Sequence, residues 1–416
     1  MTTDAEETPR IGWRAGLGLL LLALGVRLVA TAVVGFSTPR FGDADRYLSA
    51  AAELARAGRY PDRTDPYFFR PPAYPLLLSA VTGGRVDRVP AAKVSNGVLG
   101  SVAALLLAML SARIFRRRDI ALATGGLAAI HPSFVLLSTD VQSEPIFLVF
   151  LLLAGLLLLR AADRASPPIA LAAGALLGLA ALTRPSALTL APLLAAPALD
   201  RRLPRGAGWR VGACALLGFL LALAPWTLRN ARRYHEFIPV SDAGGVSLYA
   251  GNSSWTRSFY QLRSRREYAD WLERFDRDLR ARLASIEKDG PLSPARRSSA
   301  FAHMALAEAR QDPAGGLRLL ALKAWQWVRP YPTPWYWPPA VVVGIGIYSL
   351  VLYAAAARGL RLPPRPGVAA VAVAVLAISM AVHVLLQVVW RYRVAYWDPI
   401  LILYGVFGIG RGTLRR

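Results

Sequence analysis

Cysteine is nearly absent from this 416-residue chain; Cys214 is the only one. A lone thiol excludes an intrachain disulfide and any cysteine-ligated metal cluster. The sequence has no Gly-rich phosphate loop and no dinucleotide fingerprint, and its inner loops are too short for a nucleotide-binding domain. No internal repeat is visible of the kind that relates the halves of many transporters. Acids are scarce as well, with 26 Asp+Glu against 49 Lys+Arg and a formal net charge of +23. In a soluble protein that excess would suggest nucleic acid. Here 55% of residues are hydrophobic and mean hydropathy is +0.37. Long apolar runs place the chain among multi-span membrane proteins, with no nucleic-acid partner. The arginines between those runs read as orientation signals and as partners of anionic membrane lipids.

The expected fold is an all-α polytopic membrane protein. Hydrophobic runs predict about ten transmembrane helices, near 16–36, 90–114, 120–137, 145–159, 168–182, 187–199, 211–228, 338–357, 367–389 and 396–409; the first has roughly the 20 residues a bilayer needs, while the fifth and sixth are short. Every loop assigned to the inner side is arginine-rich, so both termini are expected inside. The N-terminal run is too long for a signal-peptide core and is read as an uncleaved first span. Three regions follow: an N-terminal core over 1–228 that includes a first outer loop at 37–74, a large polar outer loop at 229–317, and C-terminal helices over 318–416. Within the large loop, charged helices are expected near 265–288 and 294–311. The basic loops point to a bacterial inner membrane with the polar mass outside. An enzyme working there needs a substrate already in the membrane, because nucleotides are scarce on that side.

The first outer loop holds the densest charge. Asp43 and Asp45 open a short helix, where carboxylates serve as caps and suit the helix dipole. Gly58 suits the left-handed position that ends it. Tyr47, Ala51, Leu54 and Ala55 would share the apolar face of a helix lying on the membrane surface. The same two aspartates read equally as candidates for a general base. Arg46, Arg70, Arg391 and Arg393 fall on the same side, and the planar fork of arginine suits phosphate. Asp140 and Glu144 lie four residues apart, and with Asp43 they are candidates for a Mg or Mn site built from carboxylate oxygens. No other cofactor is expected. His383, Gln387 and Arg391, at i, i+4 and i+8, predict one polar stripe on the ninth span, serving either helix packing or substrate. Arg27 in the first span reads the same two ways.

In chain order, Asp43-Ala44-Asp45-Arg46-Tyr47, Arg70-Pro71-Pro72, Ser143-Glu144-Pro145, Leu182-Thr183-Arg184-Pro185, Pro225-Trp226 with Arg229-Asn230, Leu248-Tyr249 with Gly251-Asn252, and Arg391-Tyr392 form an ordered set. This set resembles the GT-C superfamily of membrane glycosyltransferases, in particular the branch of aminoarabinose transferases and protein O-mannosyltransferases. The resemblance implies GT-C-like outer loops, a polyprenyl-phosphate sugar donor, and inverting transfer to an acceptor hydroxyl on the outer face. It makes Asp43 the base and Asp45 the second choice. It puts Arg46, Arg70, Arg184, Arg391, Tyr392 and Arg393 around the donor phosphate. Tyr47, Tyr74, Glu144, Tyr249, Asn252 and His383 would line the substrate pocket. The chain departs from the pattern in lacking a sizeable C-terminal soluble domain, which leaves the acceptor open among lipid, glycan and protein. It also has Asp398 where an apolar residue is expected. A transporter or lipid-linked sugar flippase is the competing reading. It accounts for the spans, and less well for the acidic first loop and the long outer insert.

Overall fold

The computed structural model describes residues 11–38, 43–62, 67–200 and 202–410. The tail 1–10, Gly42 and Asp65 of the first loop, and the closing arginines Arg411, Arg415 and Arg416 lie outside the described residues. All regular elements among the described residues are helical. They run α1 (Trp13–Val34), α2 (Asp43–Ala57), α3 (Ala73–Thr82), α4 (Val89–Phe115), α5 (Arg118–Ile130), α6 (Pro132–Ser138), α7 (Glu144–Arg164) and α8 (Pro167–Ala181), then a 3-10 helix (Pro185–Leu199). There follow α9 (Arg205–Tyr234), α10 (Ala243–Asn252), α11 (Ser254–Phe259), α12 (Arg265–Ile286), α13 (Pro294–Gln311), α14 (Pro313–Val328), α15 (Pro339–Arg361), α16 (Pro366–Leu385) and α17 (Trp390–Gly410). This is an integral membrane protein of the helical class.

Six helices, α1, α4, α7, α9, α15 and α16, are long and apolar enough to cross a bilayer, and α5 with α6, bent by 52°, makes a seventh if the pair is one span. The ten expected spans are therefore not all borne out by length and composition. The reasons are geometric. At 1.5 Å per residue α8 reaches only about 22 Å, short of the roughly 30 Å hydrocarbon layer. The segment after it winds as a 3-10 helix, with Pro192 and Pro197 inside; its steeper rise carries it about 30 Å, yet it lacks the residue count of a standard span. Arg391, Arg393 and Asp398 keep α17 outside the purely apolar class.

Small residues let the helices approach closely where lipid offers no hydrophobic drive for association. A Cβ on Gly174 would stand 1.7 Å from the Ala215 carbonyl oxygen, and one on Gly218 would stand 2.0 Å from that of Leu171, so α8 and α9 pack backbone to backbone. The bend at Pro132 frees carbonyls at the end of α5, and these need partners at membrane depth. Arg27 supplies them, donating to the Ala129 carbonyl at 2.9 Å and to Ser138 Oγ at 3.3 Å. That resolves its two readings in favour of packing.

Gly58 takes the left-handed conformation at the end of α2, as expected. The apolar face of α2 is Ala44, Tyr47, Leu48 and Ala51, which packs on Tyr74 and Leu78 of α3 and on Val89 and Ala92 of α4. The expectation of a helix lying on the membrane surface is corrected, since that face is buried against protein. The large polar insert packs Val246, Tyr249, Leu279, Phe301 and Ala305 around Tyr67 of the first loop. Its helices α12 and α13 fall close to their expected positions. The boundary drawn at 228 falls inside the continuous helix α9.

Candidate active site

Helix α2 begins at Asp43, α7 begins at Glu144, and α17 begins near Arg391. Three helix starts thus bring charge to one place, and the loop before α3 adds Arg70. That loop is fixed from the large polar insert. Asp242 Oδ1 accepts from the Phe69 backbone N–H at 2.9 Å, and its Oδ2 accepts from the buried Arg297 at 2.6 Å. Arg297 in turn donates to the Tyr67 carbonyl at 2.9 Å, while Tyr60 OH donates to the Arg70 carbonyl at 3.0 Å. These contacts hold Arg70 in place, and the guanidinium packs 4.6 Å over the Tyr47 ring.

The result is an alternating row of five charges: Arg70, Asp43, Arg391, Glu144, Arg184. Asp43 Oδ1 accepts from Arg70 Nη2 at 2.7 Å, and its Oδ2 accepts from Arg391 Nη2. Arg391 Nε lies 3.8 Å from Glu144 Oε1, the same oxygen that accepts from Arg184 Nη1 at 2.8 Å. Glu144 is fully buried, and the other side chains of the row are between 9% and 21% exposed. The row is therefore largely desolvated, with Asp43 its most exposed member. Gln142 accepts from Arg391, Ser143 Oγ accepts from Tyr47 OH and from Arg184 at 3.3 Å each, and the Tyr392 ring lies under both Arg184 (4.7 Å) and Arg391 (5.4 Å). Burial alone would push the Asp43 carboxyl up. The guanidiniums of Arg391 and Arg70 more than reverse this and hold it well below the usual carboxylate range. Glu144 Oε2, Arg184 Nε and Gln142 Nε2 are buried with no hydrogen-bond partner among the described residues. Such atoms are rare in folded proteins unless a ligand meets them.

Asp45 is exposed on α2, one residue beyond the buried face. Arg46 faces the insert. Against the upward pull of burial, Arg280, Tyr67 and Arg46 hold the Asp276 carboxyl of α12 below its ordinary value. Tyr74 supports the site from beneath: its ring meets Tyr47 edge-on at 4.9 Å, and its hydroxyl accepts from Asn96, which also donates to the Asp140 and Gln142 carbonyls. His383 stacks on Trp327 at 4.8 Å and lies 5.4 Å from Tyr392, so it borders the row without joining it.

Four expectations need correcting. The stripe of His383, Gln387 and Arg391 is not on one helix, because α16 stops at Leu385 and α17 starts at Trp390. Buried Lys323 and Asn252 take up the carbonyls freed there, those of Leu385 and Leu386. Asn252 is thus engaged at this break and is not in the row. Tyr249 is buried in the insert core with its hydroxyl on Asp278 at 3.1 Å. Arg393 turns away from the row, donating to Tyr353 OH at 2.7 Å and to the Arg329 carbonyl at 2.9 Å. Its Nε lies 3.6 Å from Asp398, itself 3.8 Å from His131, and this buried group explains the acid in an apolar helix.

The metal reading also fails. Among the described residues no three His, Cys, Asp or Glu side chains form a group able to hold a metal ion. Asp140 is spent on the backbone N–H of Val141 at 2.8 Å, and Asp43 and Glu144 are already met by guanidiniums. A cation would have to displace arginines to enter. Gln142 was not anticipated, although it lies between the two acids that were, and Ser143 was singled out only as part of a motif, without a role.

Comparison with known proteins adds a partial family match and a fold. Residues 70–227 match the model of the dolichyl-phosphate-mannose-protein mannosyltransferase family. The structure of the archaeal oligosaccharyltransferase AglB from Archaeoglobus fulgidus, in complex with an inhibitory peptide and a dolichol-phosphate, matches with a TM-score of 0.57 at 14% identity, covering 96% of this chain and 50% of that one. The same organism's oligosaccharyltransferase, tethered to an acceptor peptide containing the NVT sequon, gives 0.58 at 14% identity over 97% and 50%. ArnT from Cupriavidus metallidurans bound to undecaprenyl phosphate gives 0.43 at 16% identity over 97% and 79%. The chain thus spans about half the length of the first two structures. No curated protein sequence matches the chain significantly.

Proposed function

We propose that this chain, which has the fold of the GT-C membrane glycosyltransferases, moves a sugar from a polyprenyl-phosphate donor to an acceptor hydroxyl on the outer face of a bacterial inner membrane. The observation that carries the reading is the charge of the row. Three guanidiniums face two carboxylates, leaving one positive charge in a largely desolvated row at the start of α7. The phosphodiester of a polyprenyl-phosphate sugar carries one negative charge and would balance it. The unpartnered atoms of Arg184 and Gln142 supply donors for its oxygens.

Asp43 is the base in this mechanism. Each of its oxygens takes one guanidinium bond and keeps a second lone pair for an acceptor proton. In the free protein its low pKa makes it a weak base. Donor phosphate draws on Arg70 and Arg391 and so raises the basicity of Asp43 when a sugar is in place. The acceptor oxygen then attacks the anomeric carbon, its proton passes to Asp43, and the bond from carbon to phosphate oxygen breaks. The leaving polyprenyl phosphate gains negative charge, which Arg70, Arg391 and Arg184 stabilise. Attack opposite the phosphate inverts the anomeric centre. Phosphate leaves without protonation, so the paired acid of a glycosidase is not required. No step passes through a metal.

The test is purified chain in detergent supplied with synthetic polyprenyl-phosphate sugars and candidate lipid, glycan and peptide acceptors. Acceptor-dependent release of polyprenyl phosphate, with an inverted product by NMR, is expected. Donor movement across liposomes with no release would mark a flippase and reject the proposal.

A further inference from the structure

At the opposite end of the same helices lies a crevice of about 1140 Å³ that the transfer reaction does not use. It is larger than the roughly 300–1,000 Å³ of an ordinary small-molecule pocket. Its walls come from three spans: Leu17 and Leu20 of α1, Leu105 and Met109 of α4, Leu156 and Leu157 of α7. Arg160 on its rim is sixteen residues along α7 from Glu144, about 24 Å at the rise of an α-helix, so rim and charge row occupy opposite ends of one span.

The rim is strongly basic. Arg113, Arg116, Arg160, Arg164 and Arg202 line it with two acids, Asp163 and Asp200. Both acids are committed to other arginines. Asp163 accepts from Arg113 at 2.9 Å and also from Arg365, and Asp200 accepts from Arg202 Nε at 2.9 Å. Arg160 and Arg164 stand at i and i+4 on the last turns of α7, a spacing at which like charges repel. The helix dipole favours a cation there but does not account for a like-charged pair at the mouth of an apolar crevice.

We propose that this crevice holds an anionic membrane phospholipid, its phosphate between Arg160 and Arg164 and its acyl chains along the α1, α4 and α7 walls. Charge complementarity selects the headgroup, and the apolar walls require that the anion carry chains. Positive-inside orientation puts the site in the inner leaflet, away from the donor.

Native mass spectrometry and thermal melting of the full chain in detergent test this. The probes are dioleoyl phosphatidylglycerol, dioleoyl phosphatidylcholine and soluble glycerol phosphate. Wild type is expected to retain one phosphatidylglycerol and to melt higher with it, while the other two probes have little effect. The double variant Arg160→Gln/Arg164→Gln changes exposed side chains, so its lipid-free melting should match wild type; its phosphatidylglycerol affinity should fall at least tenfold. Leu157→Trp, which fills the crevice, should weaken binding as well. Equal retention by wild type and the double variant overturns the proposal, as does equal retention of phosphatidylcholine. Equal stabilisation by glycerol phosphate would mean an anion site without chains and overturns it too. So would a change in oligomeric mass with lipid retention unchanged, which would assign the crevice to a second copy of the chain.

Discussion

Replacing Asp43 by Asn removes one charge and almost no volume, and it separates stability, donor binding and catalysis. In the wild type both oxygens accept from guanidiniums, Arg70 at 2.7 Å on one side and Arg391 on the other. Asparagine keeps one acceptor and turns an NH₂ toward the other arginine. A lost charge-assisted hydrogen bond costs about 1.5–3 kcal/mol. The 21% exposure of the Asp43 side chain keeps the figure below the loss expected of a fully buried pair. The variant should therefore melt a few degrees lower without lipid. Its row then carries one more net positive charge, so polyprenyl phosphate should bind more tightly and raise its melting point more than that of wild type. Transfer behaves oppositely. Loss of a general base typically lowers the rate about 10²–10⁴-fold, roughly 2.7–5.5 kcal/mol in barrier. The assay pairs melting with and without undecaprenyl phosphate with release of polyprenyl phosphate from a labelled donor. Transfer at the wild-type rate would make Asp43 a structural charge and refute the mechanism. A variant that gains no more stability from polyprenyl phosphate than wild type would refute the account of the row as a phosphate site.

Arg70→Ala and Arg391→Ala should each weaken polyprenyl-phosphate binding about tenfold or more, since each removes a charge-assisted contact; lysine should restore only part, because the fork is lost, and binding isotherms read the difference. Like Asp43→Asn, Glu144→Gln adds one positive charge to the row, so donor affinity should not fall, but Arg184 and Arg391 lose the carboxylate that positions them and transfer should slow; an unchanged transfer rate would remove Glu144 from the site. The Asp43 carboxyl is held below its unfolded value, so its stabilisation is complete above about pH 4 and lost as pH falls through the folded value. The melting difference between wild type and Asp43→Asn should therefore be constant above about pH 5 and shrink below pH 4. For topology, an impermeant thiol reagent should label Glu273→Cys on exposed α12 from outside and leave Arg202→Cys untouched; Ser253 is fully buried and would report nothing from either side.

By itself the sequence determined what local chemistry decides. Apolar runs of membrane length had to become spans, so α1, α4, α7, α9, α15 and α16 fall near their expected places. The charged stretches of the insert had to stay out of hydrocarbon, and they became α12 and α13. The density of charge in the first loop was equally legible, because acids and arginines are rare enough here to stand out. Tertiary structure decided which charges meet. Arg391 reaches Asp43 across 348 positions of chain, and Arg184 reaches Glu144 across 40, and no periodicity encodes such pairings. Arg393 has the same chemistry two residues from Arg391, and a helix turns it through about 200°, toward Tyr353 and Asp398 instead. The break between α16 and α17 was hidden for a related reason. A backbone leaves the helix in an apolar setting only where its carbonyls find donors, and those donors are Lys323 and Asn252, more than 60 residues earlier in the chain.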